Sequence, residues 1–265
     1  MKRVVFNQKG GVGKTSITCN LAAIGAAMGY RTLVIDLDVQ GNTTHYLVGE
    51  IDAEAFPAEA QGVAGLFKQT VGSRKMRQNP DSFVWDTPYE NLFLMPSSPV
   101  LSTLEKELES RYKIYKLRDA LEKLDSEYDR IYIDTPPNFN FFSKSALIAS
   151  DTVLVPFDCD SFARQSLYSL MENIAELQED HNPDLEVEGI VINQFNSQAR
   201  LPSELVNELS EEGYPIFDTY LNTSIKMKES HRAHRPLIDM APSHKLTGQY
   251  LDLHSELEAS ISKAA

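Results

Sequence analysis

A mostly parallel α/β sheet covered by helices on both faces is the fold this sequence predicts, and three observations predict it. Short apolar, β-branched runs recur along the chain. They alternate with stretches of helical spacing, and the first of them ends in a glycine-rich turn that opens a helix. At 265 residues the chain is long enough for one large domain of this class. No linker-like composition and no internal repeat divides it, so residues 1–265 are expected to form a single domain.

Residues 3–7 (RVVFN) predict the first strand, which stops at the glycine turn. A helix is expected over 14–28, with Gly29 where a C-cap belongs. Residues 31–38 (RTLVIDLD) predict a second buried strand closed by two aspartates. Residues 50–90 carry Gly, Pro and scattered charge and are expected to be helices and loops. A strand follows at 91–98, a strongly helical segment at 100–124, and a strand at 128–137 that stops at a Thr-Pro-Pro turn. Further strands are expected at 151–157 and 186–195, helical stretches at 161–179 and 202–212, and a last helix over about 247–262.

Composition narrows the function classes. Hydrophobic content of 42% and charged content of 24% are ordinary for a soluble globular protein. The apolar runs are too short for a membrane span, and the opening MKRVVFNQKGG lacks the apolar core of a signal peptide. Two cysteines, Cys19 and Cys159, make neither a disulfide framework nor a metal spacing, which points to a reducing cytoplasm. A net charge of −13 opposes global attraction to nucleic acid or anionic lipid, so any DNA contact needs a local basic patch.

The glycine turn, FNQKGGVGKTS over 6–16, follows a strand and opens a helix, the context in which such a turn binds phosphate. Gly10, Gly11 and Gly13, with Val12 between them, let backbone N–H groups approach phosphate oxygens, and the helix N-terminus adds partial positive charge. Lys14 is placed to contact the β- and γ-phosphates, the Thr15 hydroxyl to ligate Mg²⁺, and Ser16 to complete the loop. The usual pattern G-x-x-x-x-G-K-S/T has glycine where this chain has Gln8, and this chain adds a second lysine, Lys9. A second cation of this kind can serve a nucleotide held by a facing subunit, as an arginine finger does in trans. Asp36 and Asp38 end a strand, at the sheet edge where ligands of open α/β sheets gather. Alternation puts both carboxylates on one side, although two exposed strand-end aspartates would show the same spacing. The run RIYID ending at Asp134 has the form of a Walker B strand, which assigns Asp134 to Mg²⁺; an aspartate capping the next helix is the alternative.

KGGVGKT resembles the deviant Walker A motif of the ParA/MinD ATPases, P-loop proteins that form nucleotide sandwich dimers. The resemblance implies that Lys9 is the lysine that reaches the partner's phosphates. DVQGN resembles the family's DxDPQGN switch I motif, with Val39 in place of proline. It implies that Asp38 positions the attacking water and that Asp36 lies near the magnesium shell. Asn193, ending GIVIN, matches the position that hydrogen-bonds adenine, though a strand-end asparagine is also a common turn residue. ATP and Mg²⁺ are therefore the expected ligands, and an ATP-bound homodimer the expected state.

The resemblance extends from Lys2 to about Glu258. The iron–sulfur branch of the family needs a cysteine pair per subunit that Cys159 alone does not supply. The acidic ending YLDLHSELEASISKAA differs from the basic amphipathic membrane helix of MinD-type proteins. With the phosphate loop almost at residue 1, the chain resembles the small ParA or Soj type. Those proteins bind nonspecific DNA as ATP dimers and position a cargo, with hydrolysis stimulated by a ParB-like or other cargo-bound partner. This implies a cytoplasmic protein that is nucleoid-associated when ATP-bound. Lys226, Lys228, Arg232 and Arg235 are the DNA-contact candidates, in the most cationic segment of an acidic chain. A solvated basic loop would look the same. Relatives carry PRNVRL where this chain has NTSIKM, so Lys226 matches the second arginine and Asn222 and Thr223 replace the proline and the first arginine. Two alternatives stand beside this reading: a nucleotide-gated scaffold or polar positioning regulator that does not use DNA, and a metabolic P-loop enzyme.

Overall fold

Successive side chains of a strand face opposite sides of its sheet, and in this chain both sides are apolar. Val4, Leu33, Ile35, Ile131 and Ile133 pack into one core, while Val5, Val34 and Tyr132, their neighbours in sequence, pack into another. Strands buried on both faces require helices above and below. The computed structural model describes residues 1–49, 61–71, 78–160, 163–196, 198 and 200–264. The expectations for 50–60, 72–77 and 161–162 lie outside the described residues.

Among the described residues seven strands make one sheet: β1 (Lys2–Val5), β2 (Thr32–Asp36), β3 (Trp85–Asp86), β4 (Leu92–Met95), β5 (Arg130–Asp134), β6 (Thr152–Asp158) and β7 (Glu186–Asn193). Their order is β3-β4-β2-β5-β1-β6-β7, parallel throughout except for the two-residue edge strand β3. One face is covered by α1 (Lys14–Ala27), and the opposite face by α3 (Gly62–Val71), α4 (Leu101–Ser110), α5 (Lys116–Leu124), α6 (Phe141–Ala149), α7 (Ala163–His181) and α8 (Arg200–Glu211). On the α1 side Ile17, Leu21 and Ile24 meet Leu237 of α10 (Leu237–Met240) and Leu246, Tyr250 and Leu253 of α11 (Lys245–Ala264). On the same side α2 (Asn42–Val48) meets α1 through Tyr46 and Asn20, and Tyr46 also bonds Ser230 of α9 (Ile225–Ala233).

Several boundaries differ from the sequence reading, each for a local reason. The helix expected over 100–124 is two helices. Tyr112 adopts left-handed backbone at φ 55°, and the Lys113 N–H returns to the Leu108 carbonyl at 3.0 Å, closing α4 as a glycine usually does. The segment 141–149 is helical because Asn140 and Ser143 form a reciprocal cap, and its nearly complete burial removes the polar face that would have marked it. The basic segment, for which a solvated loop was the alternative reading, contains α9, started by Ser224 accepting from the Lys226 N–H at 3.1 Å. β4 stops before Pro96, and β2 stops at Asp36, so Asp38 lies beyond the strand.

Toward the N-terminal ends of the strands, the Arg3 side chain, 1% exposed, is held by both carboxylate oxygens of Glu188 and by the Tyr132 hydroxyl at 2.9 Å. Thr152 donates to the same Glu188 at 3.0 Å. This buried pair is neutral in sum and fully bonded.

Candidate active site

Five parallel strands, β1, β2, β5, β6 and β7, end at one edge, and the turns leaving them bring together every residue expected at the phosphate site. The loop after β1 turns through Gly11 at φ 79° and Gly13 at φ 95°. At Gly13 the glycine is required twice over. Its backbone is left-handed, and a Cβ there would fall 2.1 Å from Asn193 Nδ2. The Asn193 amide donates to the Val12 carbonyl at 2.8 Å, and Gln194 Nε2 donates to the Gly11 carbonyl at 2.8 Å. Here Asn193 braces the loop from the end of β7. Gly13 caps α1 without a side-chain bond, and the first turn holds no acid, so its N–H groups are open to an anion.

The two lysines are in contact. Lys14 Nζ donates to the Lys9 carbonyl at 3.0 Å. Burial pushes the Lys14 ammonium below its usual pKa, against the opposing charges of Asp134 and Asp38. The Lys9 ammonium is one-third exposed and forms an ion pair with Asp160, in the turn after β6 of its own chain.

Asp36 and Asp134 lie side by side in register on β2 and β5, both fully buried. Asp134 Oδ2 accepts from Thr15 Oγ1 at 2.7 Å and Thr43 Oγ1 at 2.6 Å. Its other oxygen, Oδ1, is buried with no hydrogen-bond partner. Asp36 has no such opening: Oδ2 accepts from the N–H and hydroxyl of Thr44 at 2.8 and 2.6 Å, and Oδ1 from the Asp38 N–H at 3.1 Å. Burial pushes both carboxyls above the usual range; the charge of Asp134 adds to the rise at Asp36, and that of Asp38 to the rise at Asp134. The Asp36–Asp134 pair therefore favours a nearby cation beyond the one that Lys14 supplies. Among the described residues no group of three or more His, Cys, Asp or Glu forms a metal cage. Mg²⁺ needs none, since it takes one or two protein oxygens and completes its shell with phosphate and water. Thr15 and the open oxygen of Asp134 fit that role, while Asp36 is held by α2. Asp38 faces the same space, its Oδ1 accepting from the Gln40 N–H at 3.0 Å.

Beside the loop lies a cavity of about 380 Å³, whose lining includes Ser16, Asn193, Met227, Lys228, His231 and Tyr250. Its far wall is α9. Ser16 Oγ and His231 Nε2 share a hydrogen bond at 2.8 Å, across 215 residues of sequence. Gln194 and His231 were missed as site residues, because nothing in a basic segment or at a strand end signals a contact that distant. The four expected DNA-contact cations do not form one free patch. Lys226 pairs with Glu229 and Arg235 with Asp239, while Lys228, at the rim of the cavity, and Arg232 are exposed. α9 supplies the acid that holds Lys226, and Asp239 of α10 the one that holds Arg235, which lies beyond the end of α9.

The AAA domain family matches residues 2–187. The chain is 32% identical to the chromosome partitioning protein ParA of Myxococcus xanthus, over 96% of this chain and 86% of that protein. It is 30% identical to the sporulation initiation inhibitor protein Soj of Bacillus subtilis, over 97% of each. Among solved structures it is similar to cobyrinic acid a,c-diamide synthase from Mycobacterium smegmatis with bound ADP and magnesium. There the TM-score is 0.82 at 23% identity, with 99% of this chain and 96% of that one covered, a likeness of fold.

Proposed function

Because the chain belongs to the ParA/MinD family of ATPases, through its AAA domain and its ParA and Soj relatives, we propose that it is an ATP-driven partitioning or positioning ATPase. In this reading ATP closes a homodimer, the dimer holds nonspecific DNA, and a cargo-bound ParB-like partner stimulates hydrolysis. The observation that carries the ATPase reading is the unpartnered buried oxygen of Asp134, set beside Thr15 at the foot of an anion-binding helix. The mycobacterial neighbour's ADP and magnesium and the Myxococcus relative's partitioning role support it.

The chain's own groups divide the work. The loop N–H groups and Lys14 hold the β- and γ-phosphates, and the low-dielectric setting of Lys14 strengthens that hold. Thr15 and Asp134 hold Mg²⁺, which when bound neutralises charge on the transferring phosphoryl group. Asp38 accepts from and orients the attacking water. Lys9 leaves Asp160 and reaches the nucleotide of the partner subunit, so that hydrolysis depends on dimerisation. Asn193 reads the adenine edge from the wall of the cavity.

The internal ion pairs of Lys226 and Arg235 favour one second reading, a nucleotide-gated scaffold that does not use DNA. Mobility shift of random-sequence DNA with ATP, with ADP and without nucleotide separates the two. The partition reading expects a shift with ATP alone, without sequence preference and falling steeply with salt, because each phosphate contact releases condensed counterions. No shift at low salt with ATP overturns it in favour of the scaffold.

A further inference from the structure

One helix, α9, faces both the nucleotide cavity and solvent. Its half-buried Met227 and His231 line the cavity with the exposed Lys228, while Arg232 is exposed. Two attachments made by His231 tie the helix to the walls of the phosphate site. The first is the hydrogen bond to Ser16, in the first turn of α1. The second is a ring stack on Tyr46, centroids 4.4 Å apart and 10° from parallel. Tyr46 belongs to α2, whose Thr43 and Thr44 bond Asp134 and Asp36, and its hydroxyl bonds Ser230 of α9. Burial lowers the His231 pKa, so the ring is held neutral and its Nε2 can share the Ser16 hydroxyl without bringing charge into the wall. A half-buried imidazole between a phosphate-loop hydroxyl and a switch-helix ring is more than packing requires, since a phenyl ring would fill the same stack.

We infer that His231 is a positioning residue that couples occupancy of the phosphate loop to the placement of α9, through Ser16 on one side and Tyr46 on the other. The inference rests on the partition reading for its purpose, which is to make the outward cations of α9 depend on nucleotide. Nucleotide entering the loop acts on Ser16, the hydroxyl that His231 holds, and a change in that bond moves α9 relative to α1.

The test separates the hydrogen bond from the stack and needs no DNA. Amide hydrogen exchange over 225–235 is followed with and without MgADP, which lacks the γ-phosphate of the proposed dimer. Wild type is expected to slow by about tenfold, an ordinary coupling. His231→Phe keeps the stack but not the bond, and should slow by less than about twofold. His231→Gln restores a donor toward Ser16 and should recover most of the effect. Ser16→Ala removes the other half of the same bond, and Ser16→Ala/His231→Phe should be no worse than either single change, as for two ends of one interaction. Wild-type slowing in His231→Phe overturns the inference, because it would mark His231 as packing alone, and so does wild-type slowing in Ser16→Ala, because the bond would then carry no coupling. Loss of DNA binding in wild type would instead strike the partition reading, by a different signal.

Discussion

Two buried charge clusters sit on the same sheet, one near each end of its strands, and they are built on opposite rules. At the N-terminal ends Arg3 and Glu188 cancel, and Tyr132 and Thr152 bond what remains. At the C-terminal ends Asp36 and Asp134 repeat the same charge side by side, and one oxygen is left without a partner. Both clusters are costly to bury. The first is complete within the chain and is structural. The second is complete only when a cation and phosphate arrive, so its instability without ligand is what makes it a binding site.

The largest effect that would break this contrast is at the balanced cluster. Glu188→Ala leaves Arg3 buried and unpaired, and should cost about 3–5 kcal/mol in urea unfolding, while Arg3→Met/Glu188→Leu should recover most of it. A loss below about 1 kcal/mol in the single variant would mean that the pair is hydrated and the contrast false. Next comes Lys14→Ala. Titration calorimetry should show MgATP affinity falling by about 100-fold or more, since a buried cation facing phosphate is removed. Unchanged affinity would sink the phosphate-loop assignment.

The unbalanced cluster should yield a gain instead. The Asp36 carboxyl is raised in the folded protein by burial and by Asp134. A raised carboxyl binds its proton more tightly when folded, so its stabilising contribution is present at acid pH and lost as pH climbs through the raised value. Asp36→Asn, a mimic of the neutral acid, should therefore match wild type in acid and exceed it by about 1–3 kcal/mol near neutral pH without ligand. MgADP should narrow the gap. A gap that is widest in acid would reverse the argument.

How much of this was legible depended on distance along the chain. Lys9, Lys14, Thr15 and the strand-end aspartates were readable, because each motif carries its chemistry within a few residues of a strand end. The two cores were implied by apolar runs at β1, β2 and β5. What escaped were features made by contacts far apart. The β7 asparagine was matched to adenine, yet its bond to Val12, 181 residues away in sequence, and its fit against Gly13 reach past the intervening β6. α6 escaped because a helix buried on all sides has no polar stripe, and the break at Tyr112 because neither glycine nor proline announces it. The cations of α9 were legible as charge but not as pairs, since pairing depends on the helical turn.

The smallest expected effect sharpens the role of Lys9. Its ion pair with Asp160 is partly exposed, so it is worth little in stability. Asp160→Asn releases Lys9 toward a facing subunit, and light scattering should show ATP-driven dimerisation at about two- to fivefold lower protein concentration. A higher midpoint would mean that Asp160 supports the dimer rather than competing with it.

The strand order also governs how the chain comes to exist. β1 is made first but lies between β5 and β6, paired at Lys2 with Ile131 and at Arg3 with Thr152. During synthesis, at about 5–20 residues per second, the first strand and its phosphate loop therefore wait for on the order of ten seconds before either neighbour exists. Throughout that wait Ile17, Leu21 and Ile24 of α1 lack β5 and the helices α10 and α11 that complete their burial. Pairings this distant in sequence are slow to close. The newborn chain thus has a long period of exposure to chaperones and to aggregation, and it acquires its nucleotide site only once β5 with Asp134 has been made.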